Sequence, residues 1–311
     1  MIFFLLFPEI QRVGEKDKLM KKIPKVCYAY WGNTVLPYLR YMCFKSFLQF
    51  NPDWKLVLYT PVQLTRTQSW LTNENKQVVN TIDYSDRLDA LGVEVRTWNM
   101  EAVGYGNDIP EVTKSDILRL HLLSTVGGLW TDSDIIYFRP LSHALPSTGH
   151  EAYFCYRRGG PTQEDNQKNG PKYHSIGFLA SAPNNSDYKV LWNNRPVTIN
   201  EAEYQAIGSP FYGTLINDAW LSVRQDTIYN VDIQLVYPSR ALPGMWSPAQ
   251  SYVGQVHDVS IGWHWYAGHP HSGNMQNVVT EQTCAFHDNI ICWIVGRINA
   301  GLPVHRGCPI S

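Results

Sequence analysis

Apolar positions along the chain fall into short blocks separated by polar turns, and the blocks alternate in kind. Residues 25–31 (KVCYAYW) form a near-continuous apolar run closed by Gly32-Asn33, the pattern of a strand buried on both faces. Residues 36–50 predict a helix stopped by Asn51-Pro52. Residues 54–59 (WKLVLY) predict a second strand, the polar stretch after it reads as helical, and residues 93–98 predict a third strand. Residues 113–126 predict a helix that is apolar nearly all round. Leu118, Leu122 and Val126 run along one side, and Ile117, Leu120 and Leu123 widen that surface. Gly127-Gly128 ends it, Leu129-Trp130 leads into Thr131-Asp132-Ser133-Asp134, and residues 135–138 continue extended. Further on, the pattern predicts a strand at 175–182 (SIGFLASA), a helix at 211–224 and a strand at 229–237. A loop rich in aromatic residues and histidine at 263–271 and a closing helix at 287–299 complete it.

Such alternation predicts an α/β fold whose sheet is at least partly parallel. Ligands of these sheets bind beyond the carboxyl ends of the strands. The end of the first strand and the 131–134 segment are both candidates for that edge. No linker-like composition divides the chain. Residues 1–24 read as a lead-in, 25–275 as one domain with elaborations, and 276–311 as a closing segment of the same domain.

Composition narrows the classes. With 44% hydrophobic and 17% charged residues the chain has the makings of a packed globule. A net charge of -1 gives no basic excess of the kind that nucleic acid binding requires. The apolar start at residues 1–7 is far short of the ~20 residues of a membrane span. It also lacks the basic flank of a secretory signal. A cytoplasmic protein is expected, its apolar start able to rest on a membrane surface or on the domain. The six cysteines form no CxxC pair and suit buried free thiols in a reducing compartment, with a bridge among Cys284, Cys292 and Cys308 left open.

The chemistry centres on Asp132 and Asp134. In an extended segment residues two apart point the same way, so both carboxylates converge on one place. That suits a hard divalent cation, Mn²⁺ or Mg²⁺, which takes its remaining ligands from phosphates and water. The competing interpretation is a solvated Asp-Ser-Asp turn. Upstream, Asp116 and Arg119 stand three apart on the buried helix, where charges are costly unless partnered. They are either ligand-binding groups or a local ion pair, with Thr113-x-x-Asp116 as a variant capping box.

The run SDILRLHLLSTVGGLWTDSD, through Ser115, Asp116, Arg119, Gly127, Gly128, Trp130, Asp132 and Asp134, resembles the sugar-binding region of glycosyltransferases with a DxD motif. Family 32 is the nearest in pattern, with its initiating α-mannosyltransferases and α-1,4-galactosyltransferases; the clostridial glucosylating toxins share the core. The resemblance is strongest over 113–141. It implies a GT-A-type, Rossmann-like nucleotide-sugar-binding fold with a mixed central sheet, a retaining hexosyl transfer and Mn²⁺ dependence. The partners implied are a nucleotide-sugar donor, UDP-linked first and GDP-mannose second, and a glycan or other hydroxyl acceptor. Asp116 and Arg119 would contact the donor's sugar or ribose, while Asp132, Ser133 and Asp134 would serve metal and donor.

Weaker matches extend it. Ala29, Tyr30 and Trp31 would lie near the nucleotide base, although strand-end packing explains the two aromatics equally well. Ser175-Ile176-Gly177-Phe178 resembles the strand lining the donor pocket, bringing in Ser175 and Gly177. Ile207-Gly208-Ser209-Pro210 resembles a Gly-Pro turn before a helix, with Ser209 inserted. The 262–269 segment resembles a C-terminal His-aromatic stretch whose histidine completes the metal site. His264 aligns best, with His269 as competitor, and Trp263, Trp265 and Tyr266 either stack on sugar or anchor the loop. Asp218 is the spare carboxylate for a role near the anomeric carbon. Rival readings are a non-catalytic carbohydrate-binding protein and another metal-dependent nucleotide-using transferase; the latter usually needs a Gly-rich phosphate loop, and residues 29–37 hold only Gly32.

Overall fold

The computed structural model describes residues 21–65, 82–147, 149–157, 173–199, 206–237, 249, 253–268, 272 and 274–305. Residues 1–7, His269 and Cys308 lie outside these, as does the 66–81 part of the stretch read as helical.

A seven-stranded sheet forms the centre, in the order β3-β2-β1-β4-β7-β6-β8. The strands are β1 (Val26–Tyr30), β2 (Lys55–Pro61), β3 (Glu94–Trp98), β4 (Gly128–Thr131), β6 (Ala152–Arg157), β7 (Tyr173–Ser181) and β8 (Ile228–Asn230). β1 to β4 are mutually parallel, and β7 runs antiparallel to both β4 and β6, so the sheet is mixed as expected. Helix α1 (Tyr38–Phe50) covers one face, where the largest core cluster also takes in the closing helix Ile290–Asn299. Helices α2 (Glu111–Thr125), α3 (Ser186–Asn193) and α4 (Ser209–Leu215) cover the other. Both faces of β1 are buried, which is why its sequence is apolar throughout instead of alternating.

The turn from α2 into β4 shows why both glycines are there. Gly127 has φ 68°, the left-handed conformation that closes a helix, and its amide bonds to the Leu122 carbonyl at 2.9 Å. Gly128 has φ 122°, and a Cβ there would stand 2.7 Å from the Tyr28 ring and the Val26 carbonyl. The bare backbone thus lets β4 lie directly against β1. Tyr28 pairs with Trp130, so the end of β1 and the 131–134 segment emerge at the same edge of the sheet.

A second, two-stranded sheet joins β5 (Ile135–Tyr137) to β9 (Gly262–His264), with Ile135 opposite His264. This pairing brings a residue 130 positions downstream to the acidic segment.

Several boundaries differ from the sequence reading. The helix expected from 113 begins at Glu111 after Pro110, so Thr113 lies within it and caps nothing. The 211–224 helix is two short ones, α4 and α5 (Asp218–Ser222). Ile216 is extended there, its carbonyl meets His174, and Asn217 caps α5 by accepting from the Trp220 amide. The 229–237 strand stops at Asn230, and Asp232 caps a helical turn at Ile233–Leu235. Residues 85–91 form two short 3-10 turns. Side-chain capping by Asn217 and Asp232 redirected the backbone at the helix and strand breaks, a signal that apolar periodicity does not carry. The five described cysteines are all buried and unbridged.

Candidate active site

Beyond β4 the chain keeps one more sheet contact, from the Asp132 amide to the Gly177 carbonyl on β7 at 2.8 Å, and then turns at Ser133-Asp134. The two carboxylates therefore converge through a turn, not through the alternation of an extended strand as the sequence suggested. The solvated-turn alternative fails, because Asp134 is only 4% exposed. Its Oδ1 lies 3.1 Å from His264 Nε2, its Oδ2 accepts from the Ala267 amide at 2.9 Å, and its carbonyl accepts from Trp265 at 3.0 Å. Burial would raise its pKa. His264, the nearby Arg40 charge and the Ala267 amide outweigh that and hold it well below the usual carboxylate range. Asp132 differs: its side chain is 29% exposed, with Oδ1 accepting from the Trp130 indole at 2.9 Å.

Ligand atoms of Asp132, Asp134 and His264 lie within 4.8 Å of one another. Two carboxylate oxygens and an imidazole nitrogen are the donor set that Mn²⁺ accepts. The His264 Nδ1 accepts from the Tyr266 amide at 3.2 Å, which leaves the Nε2 proton to bridge to Asp134.

On α2, Asp116 and Arg119 pair at 2.9 Å, and Arg119 also reaches Asp132 Oδ1 at 3.6 Å. The guanidinium lies over the Trp130 ring, 4.9 Å from its centroid. Burial raises the Asp116 pKa to about 6 against the pull of Arg119, with Asp132 adding to the rise. The pair is thus a local ion pair, and one that reaches the acidic segment.

The remaining predicted residues fall around this centre. Ala29 is fully buried in the sheet. The Tyr30 hydroxyl is held by Glu111, itself buried and paired with Lys114 at 2.8 Å. Trp31 donates to the Val35 carbonyl and packs on Arg40. Ser133 is turned inward, accepting from Arg40 at 2.9 Å. Ser175 lies beside the Tyr237 hydroxyl but outside hydrogen-bond geometry. Gly177 leaves the space that the Asp132 carboxylate and Tyr237 occupy. Trp263 and Trp265 are fully buried and anchor the loop. Asp218 begins α5 and lines a groove of about 320 Å³ with Tyr156, Leu221 and Gln225 among others, none of them in the carboxylate cluster.

Arg40, Tyr212 and Tyr237 went unnoticed in the sequence. Arg40 is 3% exposed and lies between the rings of Trp31 and Trp265, at 4.6 and 5.1 Å. An arginine flanked by Leu39 and Tyr41 on an otherwise apolar helix was its signal. The tyrosines had none, since they come from separate, weakly patterned segments.

Residues 100–195 match the family model of capsular polysaccharide synthesis proteins, a span that holds α2, the acidic segment and β7. No curated protein matches the sequence. Among solved structures, the chain is similar to the PaToxG glycosyltransferase (14% identity over 65% of this chain and 74% of that one, TM-score 0.41). The galactosyltransferase LgtC, solved with donor and acceptor sugar analogs, aligns at 11% identity over 78% and 87%, with a TM-score of 0.38. A Bacillus anthracis protein described as a putative glucose-1-phosphate thymidylyltransferase aligns at 11% over 81% and 93%, with a TM-score of 0.39. Likeness at this level does not separate sugar transfer from nucleotidyl transfer, so function has to be read from the site.

Proposed function

We propose that this chain is a metal-dependent, retaining glycosyltransferase of polysaccharide biosynthesis, kin to family 32. It moves a hexosyl group from a nucleotide sugar, UDP-linked first and GDP-mannose second, to a hydroxyl of a glycan or other acceptor. The observation that carries this is the convergence of Asp132, Asp134 and His264 within 4.8 Å, beside a buried Asp116–Arg119 pair that points at Asp132.

Asp132, Asp134 and His264 would hold Mn²⁺ or Mg²⁺, whose chemistry when bound is to neutralise the charge of a departing diphosphate. Arg119 presents fixed N–H groups beside Asp132, in a setting from which water is largely excluded, so its field acts at full strength where the sugar leaves. Asp116 holds that guanidinium in place. Tyr30, pinned by Glu111, and Trp31, stacked on Arg40, form a rigid floor at the end of β1 for the nucleotide. The acceptor hydroxyl attacks from the face that the diphosphate leaves, and a leaving phosphate oxygen takes its proton. No protein nucleophile is needed, and Asp218 is kept as the spare carboxylate for a role near the anomeric carbon. A cytoplasmic setting is part of this proposal. Among the described residues no helix is long and apolar enough to cross a membrane.

The test is Asp134→Asn together with Asp132→Asn. Each should lower Mn²⁺-dependent hydrolysis of a nucleotide sugar by at least about 100-fold, with circular dichroism showing a folded protein. Turnover near that of the unaltered chain in both variants would remove the metal role.

A further inference from the structure

Five buried polar atoms around Arg119 have no hydrogen-bond partner among the described residues: Asp116 Oδ2, Arg119 Nε and Nη1, and the hydroxyls of Tyr212 and Tyr237. None of the four residues is more than 6% exposed. Unpaired buried polar atoms are uncommon in folded proteins, and each calls for a partner. They also come from separate parts of the chain: α2, α4 and the residues after the turn at Ile233–Leu235.

Gly177 shows that Tyr237 reaches the acidic segment. A Cβ on that residue would stand 2.6 Å from the Tyr237 hydroxyl and 2.6 Å from Asp132 Oδ2. The phenol and the partly exposed carboxylate therefore meet over the Gly177 backbone, in space that any side chain there would take from them. Tyr212 and Tyr237 both lie within electrostatic reach of Arg119, and Tyr212 within that of Asp116 and Asp132 as well.

The chemistry of the unpaired set selects a ligand. One carboxylate oxygen accepts, two guanidinium N–H groups donate, and two phenols do both. A phosphate would suit Arg119 but would be repelled by Asp116 and Asp132. An apolar group would leave all five atoms unsatisfied. A neutral polyol fits, because each of its hydroxyls offers a donor and an acceptor.

We propose that Tyr212 and Tyr237 are specificity-determining residues whose hydroxyls hydrogen-bond those of the transferred sugar, so that the site takes a neutral, fully hydroxylated hexosyl group. This rests on the nucleotide-sugar reading above and extends it to residues outside the 100–195 span that the family model matches.

Tyr212→Phe and Tyr237→Phe each delete one oxygen and nothing else. The full chain is titrated in Mn²⁺ with UDP, GDP, UDP-glucose, UDP-galactose and GDP-mannose by calorimetry, and melted without ligand. Ligand-free melting temperatures should match or exceed that of the unaltered chain, because an unsatisfied buried hydroxyl is removed. Affinity for UDP or GDP should stay within about twofold, while affinity for the best nucleotide sugar falls about 3–10-fold per hydroxyl. Equal losses for nucleotide and nucleotide sugar, no loss for either, or a lower ligand-free melting temperature would overturn the tyrosine assignment and leave the transferase reading standing. If the unaltered chain binds none of the nucleotide sugars, both fall.

Discussion

Gly177→Ala is the smallest change that should disable the site. The residue lies on β7, and its φ is not in the left-handed region, so alanine suits the backbone. The penalty comes from what the new methyl meets. It would stand 2.6 Å from Asp132 Oδ2, 2.6 Å from the Tyr237 hydroxyl and 3.1 Å from Asp132 Cγ. An ordinary C···O contact is about 3.3 Å, so two neighbours must each retreat by about 0.7 Å. Tyr237 has little room to do so, being buried and packed against His264 at 5.0 Å between ring centroids. Asp132 is the more exposed of the two and would give way, losing its bond from the Trp130 indole and its approach to Arg119. Overpacking of this kind costs roughly 1–3 kcal/mol of stability. A catalytic group moved by nearly an ångström costs about 100-fold in rate. The assay is kcat/KM for Mn²⁺-dependent hydrolysis of a nucleotide sugar, alongside a urea unfolding curve. A folded variant whose kcat/KM stays within threefold would refute the reasoning, since it would mean that the Asp132 position is immaterial.

Two other outcomes test separate parts of the account. Arg119→Lys keeps a charge but loses the planar fork that pairs with Asp116, reaches Asp132 and lies over Trp130, so kcat/KM should fall at least about 100-fold; near-normal kinetics would leave the arginine a purely local ion-pair partner. His174 is buried with its Nε2 donating to the Ile216 carbonyl, and burial lowers its pKa from 6.5 to about 4. The unfolded chain therefore takes up this proton first. Its contribution to stability is complete above pH ~6.5 and is lost as pH falls toward 4, by up to about 3 kcal/mol. Urea unfolding at pH 7, 5.5 and 4.5 should show that slope, and His174→Gln should flatten it; identical slopes in the two proteins would contradict the assignment.

The order of α and β elements was legible because burial on both faces of β1 and around α1 and α2 forces unbroken apolar runs, and those runs survive any change of context. The Gly127-Gly128 turn was equally plain, since its positive φ values and close strand contact admit little else. Asp116, Arg119, Asp132 and Asp134 lie within 19 consecutive residues, so local spacing could bring them forward together. What the sequence alone could not decide was set by contacts between distant segments. His264 reaches Asp134 only because β9 pairs with β5, and Arg40 meets Ser133 only because α1 packs against β5. Tyr212 and Tyr237 join Arg119 across about 100 positions, and the helix and strand breaks at 216–217 and 231–232 come from caps and a histidine contact. Periodicity reports which side of an element faces the core. It carries no information on which other element supplies the partner, and at this site the partner decides the chemistry.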